Sequence, residues 1–274
     1  MSANASATSG VGRRRSRVGR YALWQLGDYL RDRGGPTFLI CILFGYLGAG
    51  HITAMVARQL TSAPQKLIAA YGTLEAARQA ILHDASVSFL RSFLGAVVFL
   101  AALLATNGIV ATDRKQGFYR FLFAKPVSPS RYYGQAFLMH GAGFLLVFVV
   151  LALVYGYFIT PVLTVSLLVG LALMYLCYAG IAFALSASAR WDWLSLVTVA
   201  VAASYCWGRY GESTSPYAGF LYLLPPLHKT TEVYDAIASG VALPWHTLAW
   251  LAGYGAACYL IGLVILRYRR LAII

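Results

Sequence analysis

The apolar residues of this chain come in blocks of about twenty, the length that crosses a hydrocarbon core of about 30 Å at 1.5 Å per helical residue. Nothing else in the sequence constrains the fold as strongly. The blocks predict an all-α integral membrane protein with six transmembrane helices, at residues 36–57, 92–112, 137–159, 162–189, 193–208 and 245–266. The fifth is short for a full crossing. Composition agrees: 59% of residues are hydrophobic and 11% charged, against roughly 25% charged in soluble domains.

Charge sets the orientation. The net charge of +13 is not gathered on one soluble face, which argues against a nucleic-acid partner. Basic residues lie instead at the ends of apolar blocks. Sixteen of the 22 fall on one side of a six-span topology, in the N-terminal segment, the 113–136 loop, Arg190 and the tail at Arg267, Arg269 and Arg270. The richer side is cytoplasmic by the positive-inside rule, which places both termini inside.

Outside the spans, residues 1–19 are rich in Ser, Ala, Gly and Arg and are expected to form a disordered basic cytoplasmic tail, leaving 20–274 as a single transmembrane domain. No apolar stretch follows that would make the tail a signal peptide. In residues 20–33, Leu23, Leu26 and Leu30 share one face and Gln25, Asp28 and Asp32 another. An amphipathic helix lying in the membrane interface is expected, broken from the first span at Gly34-Gly35-Pro36. Residues 63–85 read as a surface helix pairing Glu75 with Arg78. Residues 209–244, interrupted by Pro225-Pro226, read as a half-inserted hairpin or short outer helices ending at Gly240.

Catalytic machinery is not legible. The chain has no G-x-x-x-x-G-K-[ST], no H-E-x-x-H and no G-x-S-x-G. Cys41, Cys177, Cys206 and Cys258 sit in apolar stretches without C-x-x-C spacing, and no metal-ligand cluster is predicted. All nine acidic residues lie at segment ends or in loops, whereas ion-coupled carriers keep an ionisable group inside the membrane. His51 and His140 come nearest to that description and are the candidates for a substrate path. Small residues recur every four positions at Gly180-Ala184-Ser188, Cys258-Gly262 and Gly45-Ala49, where helices can approach closely, within one subunit or between two.

The 113–134 loop is the most informative segment. Phe118, Phe121 and Leu122 fall at i, i+3, i+4 with Arg114, Lys115, Arg120 and Lys125 around them. Asp113 suits the start of a short helix, Gly117 permits close backbone approach, and Pro126 ends the helix. An aromatic, basic helix outside the membrane either lies on lipid or docks in a groove on a partner.

At this loop, Asp113-Arg114-Lys115-Gln116-Gly117 followed by Pro126-Val127-Ser128 resembles the type-2 permease family of ABC transporters. The resemblance extends over about residues 20–270 through the span count, the helix before span one, the interrupted segment before span six and the basic tail. Where many members carry Glu just before the motif glycine, this chain has Lys115-Gln116. The resemblance implies a membrane subunit of an ABC exporter in the cytoplasmic membrane of a prokaryote, paired with a second copy or a paralogue. A separate ATPase subunit would bind ATP and magnesium, and this chain would bind no cofactor. That subunit would dock on a coupling helix formed by Asp113, Arg114, Lys115, Gly117, Phe118, Arg120, Phe121, Leu122, Lys125 and Pro126. The rival expectation is an ion-coupled carrier or channel acting without an ATPase.

Overall fold

The computed structural model describes residues 19, 21–106, 109, 110, 113, 117, 128–158, 163–188, 194–211 and 216–268. These residues form helices and no strand. Five helices are long and apolar enough to cross a bilayer: α1 (Tyr21–Ser62), α3 (Leu74–Thr106), α4 (Pro129–Phe158), α5 (Val165–Ser188) and α8 (Trp245–Tyr268). Between them lie α2 (Pro64–Tyr71), α6 (Leu194–Tyr210) and α7 (Thr230–Ser239), with 3₁₀ turns at Pro216–Leu223 and Leu227–Lys229. The predicted fifth span is α6, whose 17 residues rise about 25 Å, the lower end of what a crossing needs.

Two boundaries differ from the sequence reading. The chain does not break at Gly34-Gly35-Pro36, so the amphipathic stretch is not a separate helix but the first turns of α1. A π-helical turn at Leu30–Gly34 replaces the break, with the Gly35 N–H donating to the Leu30 carbonyl. Proline lacks an N–H and crowds the carbonyl four residues back, and a widened turn just before it absorbs that mismatch without ending the helix. Likewise, the surface helix expected at 63–85 and the span expected from 92 are mostly one element. The real interruptions are at Ala63-Pro64 and at Gly72, whose φ of +79° suits glycine. Thr73 then caps α3, its hydroxyl accepting from the Ala76 N–H at 3.1 Å. No proline occurs from Leu74 to Thr106, so α3 carries Glu75 straight into the apolar span. The Glu75–Arg78 pair forms at 3.7 Å on an exposed face.

The core gathers around α5. Two thirds (67%) of its apolar window is buried, against 22–33% in the other four long helices. Its partner is α8. Two of the small-residue rows meet here: Gly180 and Gly255 touch through their backbones, and Gly262 lies beneath Phe183 and Ala184. These rows pack within the subunit, as small residues allow when lipid offers helices no hydrophobic drive to associate. Gly45, in the third row, has open space beside it.

The segment between α6 and α8 folds as short helices over one end of the bundle. Tyr234 of α7 packs beside Gly95 of α3, and Asp235 pairs with Arg91 at 3.0 Å. Ile237 fills the space beside Gly170 of α5. The helix stops at Gly240, φ +67°, whose N–H reaches back to Ala236 and Ile237, a left-handed cap that glycine adopts without strain.

Candidate functional site: the polar junction at the loop end

At the end of the bundle where α3 leaves and α4 begins, α1 turns a polar stripe inward. Gln25, Tyr29, Arg33 and Thr37 recur at i+4, the spacing that stacks side chains on one helical face. Gln25, Tyr29 and Thr37 are buried and Arg33 is half-buried. Tyr29 lies flat on Gly143, where an added Cβ would come within 2.3 Å of the ring, and its ring centroid is 5.0 Å from that of His140.

The focus of the junction is the main-chain carbonyl of Ala105. Here the Arg33 guanidinium donates to that oxygen, and so does Nδ1 of His140 at 2.8 Å. A carbonyl can only accept, so Nδ1 carries the proton and Nε2 is left as an acceptor. One oxygen thus ties together α1, α3 and α4.

Two further bonds hold the start of the loop. The Val110 N–H donates to the Ser186 hydroxyl of α5 at 3.2 Å, and the Tyr133 hydroxyl of α4 donates to the Asp113 carboxylate at 3.1 Å. Burial pushes the Asp113 carboxyl up from its ordinary value, while the Tyr133 hydrogen bond and the nearby Arg33 pull it back. Gly117 has φ +73°, with nothing within 4 Å of an added Cβ. Glycine suits that position because its backbone enters the left-handed region without strain.

Of the loop residues singled out from sequence, Asp113 and Gly117 are placed. Arg114, Lys115, Phe118, Arg120, Phe121, Leu122, Lys125 and Pro126 lie outside the described residues. The two histidines are far apart. His140 belongs to the junction, whereas His51 is exposed and 22 residues beyond Tyr29 on α1, about 33 Å along the axis. Sequence reasoning missed Tyr29, Arg33, Tyr133 and Ser186. Arg33 was counted only as an orientation charge, although the four-residue stripe it shares with Gln25, Tyr29 and Thr37 was there to be read.

A second polar–aromatic group sits at the opposite end. His228 stacks on Trp207 with centroids 4.0 Å apart, near Trp250 and Tyr222. Burial and the neighbouring Lys229 push His228 below its ordinary pKa. Among the described residues no three His, Cys, Asp or Glu side chains gather closely enough to hold a metal ion.

Comparison with protein-family models, with curated proteins and with solved structures finds no match in any of the three.

Proposed function

We propose that this chain is the membrane-spanning permease subunit of an ATP-driven exporter, with ATP hydrolysed by a separate subunit docked on the 113–126 loop. On this reading α6 completes a six-span topology with both termini on the cytoplasmic side, and the permease pairs with a second copy or a related chain. The chain itself hydrolyses nothing.

The observation that carries the reading is the Asp113–Tyr133 hydrogen bond and the junction behind it. The loop leaves and re-enters the bundle at one pinned point. Arg33, His140 and Ser186 bind that point to α1, α4 and α5. A force applied to the loop is therefore delivered to four helices at once, which is what a subunit driven from outside the membrane needs. The basic and aromatic residues from Arg114 to Lys125 suit a docking surface.

The test is purification of the tagged chain in mild detergent, identification of co-purifying proteins by mass spectrometry and an ATPase assay. A stoichiometric P-loop ATPase, lost when Phe118 and Phe121 are replaced by Ala, is the expected result. A homogeneous assembly of this chain alone, with no ATPase activity, would overturn the proposal. The junction also supplies the one observation favouring a lone ion-coupled carrier, a half-buried Arg33 beside His140. That reading predicts transport in vesicles containing only this chain and driven by an ion gradient.

A further inference from the structure

We infer that the cleft between α1 and α3 is a seat for one acyl chain of a membrane phospholipid. The cleft is a cavity of about 210 Å³ lined by Thr37, Ile40, Cys41, Phe93, Ala96 and Leu100, among others. Among its described lining residues only two, Thr37 and Ser92, carry hydroxyls. Both are engaged with their own helices, Thr37 with the Arg33 carbonyl at 2.8 Å and Ser92 with the Ser88 carbonyl at 3.2 Å. A water molecule inside would lack the two to four polar partners it needs, so the cleft takes apolar matter or stays dry.

Size identifies the occupant. A cavity of roughly 150 Å³ in another protein holds benzene, so about 210 Å³ accepts part of an alkyl chain, on the order of eight carbons. A second helix, about 10 Å across with its side chains, is too thick. Along α3 the lining runs from Leu104 to Phe89, about 22 Å of rise, short of the roughly 30 Å hydrocarbon core, so an element that spans the membrane does not fit along it.

The ends and the open side fix how it enters. At the end away from the loop, Phe89 closes the cleft against Gly48, whose added Cβ would lie 2.0 Å from the ring. At the other end Arg33 of α1 is bonded to Ala105 of α3. Between them the cleft opens sideways through Ile40, Ala96 and Leu104, so bilayer hydrocarbon is what it meets. None of the described lining residues is charged, so the cleft selects no headgroup, and the chain is the recognised part.

The experiment reconstitutes the full-length protein in vesicles of phosphatidylethanolamine and phosphatidylglycerol that include phosphatidylcholine with a photoreactive diazirine in its acyl chain. Labelled residues are mapped by mass spectrometry after irradiation. Labelling concentrated several-fold on Ile40, Phe93, Ala96 and Leu100 over the more exposed Leu260 and Val264 of α8 is expected. It should be lost in Ala96→Trp, which fills the cleft from its open side, and kept in Leu260→Trp. Even labelling of all exposed faces, unchanged labelling in Ala96→Trp, or cross-links joining two copies of the chain at the cleft would each overturn the inference. Should Ala96→Trp prove misfolded by gel filtration, native mass spectrometry of the wild-type chain decides. Release of one phospholipid per chain only at high activation supports the seat, and stripping of all lipid at low activation refutes it.

Discussion

Gly180 and Gly255 meet backbone to backbone: a methyl group on Gly180 would lie 2.1 Å from the Gly255 carbonyl oxygen. A methyl on Gly255 would lie 2.4 Å from the carbonyl oxygen of Leu176. No rotamer change relieves a clash with main chain, so the helices themselves would have to separate. Gly180→Val or Gly255→Val is expected to destabilise the fold by about 3 kcal/mol or more, at the upper end of overpacking effects. Thermal melting in detergent measures it, with Gly253→Ala, where nothing lies within 4 Å, as the neutral control.

Gly117 makes a different demand. Its φ of +73° is a region that L-residues enter at a penalty of roughly 1–2 kcal/mol. Gly117→Ala should lower ATPase-coupled transport while leaving the melting temperature of the bundle unchanged, because the strain falls in the loop. Equal losses in both would place Gly117 in the scaffold.

Asp113 gives a dependence on pH whose sign is opposite to that of an ion-paired carboxylate. Its folded pKa is raised above the unfolded value, chiefly by burial. The folded state therefore holds the proton more tightly, and the associated stability is fully present below the ordinary carboxyl range and lost as pH rises through the raised value. Asp113→Asn abolishes that loss. Melting curves from about pH 4 to pH 7 should show the variant gaining on the wild type as pH rises. Parallel curves would refute the burial argument.

His140 and Arg33 share one acceptor, which makes their effects non-additive. Either donor alone still satisfies the Ala105 carbonyl, so His140→Phe or Arg33→Met should each cost about 1 kcal/mol. Together they strip that carbonyl of both its side-chain donors and untie α1 and α4 from α3. A double-mutant cycle should then show an excess of about 0.5–3 kcal/mol over the sum. His51→Phe, on an exposed face, should stay within about 0.5 kcal/mol of the wild type.

Long apolar blocks announce themselves in sequence because bilayer thickness fixes their length, so the cores of α1, α3, α4, α5 and α8 were all legible. Their ends were not. Gly34-Gly35-Pro36 reads as a stop from propensity alone, yet the π turn at Leu30–Gly34 carries the helix through it. Helical residues outside the hydrocarbon, such as Leu74 to Arg91, give no hydropathy signal and are indistinguishable in composition from a separate surface helix. Asp113 and Gly117 stood out as a helix-capping acid and a conformationally free glycine within one short loop. Ala105 could not stand out, since its role belongs to a backbone carbonyl and any residue type has one. The pairing of the Gly180 row with the Cys258-Gly262 row, and the contact of Gly180 with Gly255 beside it, were equally hidden: spacing marks a surface for close approach without naming what approaches.

The burial of α5 against α8 has a consequence for biosynthesis. These helices are partners in space, yet the end of one precedes the end of the other by 80 residues, Ser188 to Tyr268. At 5–20 residues per second, the ribosome takes roughly 4 to 16 s to make that stretch. Through that interval α5 waits in the lipid with its glycine seam uncovered, a period in which quality-control proteases and insertion chaperones can recognise an unfinished chain.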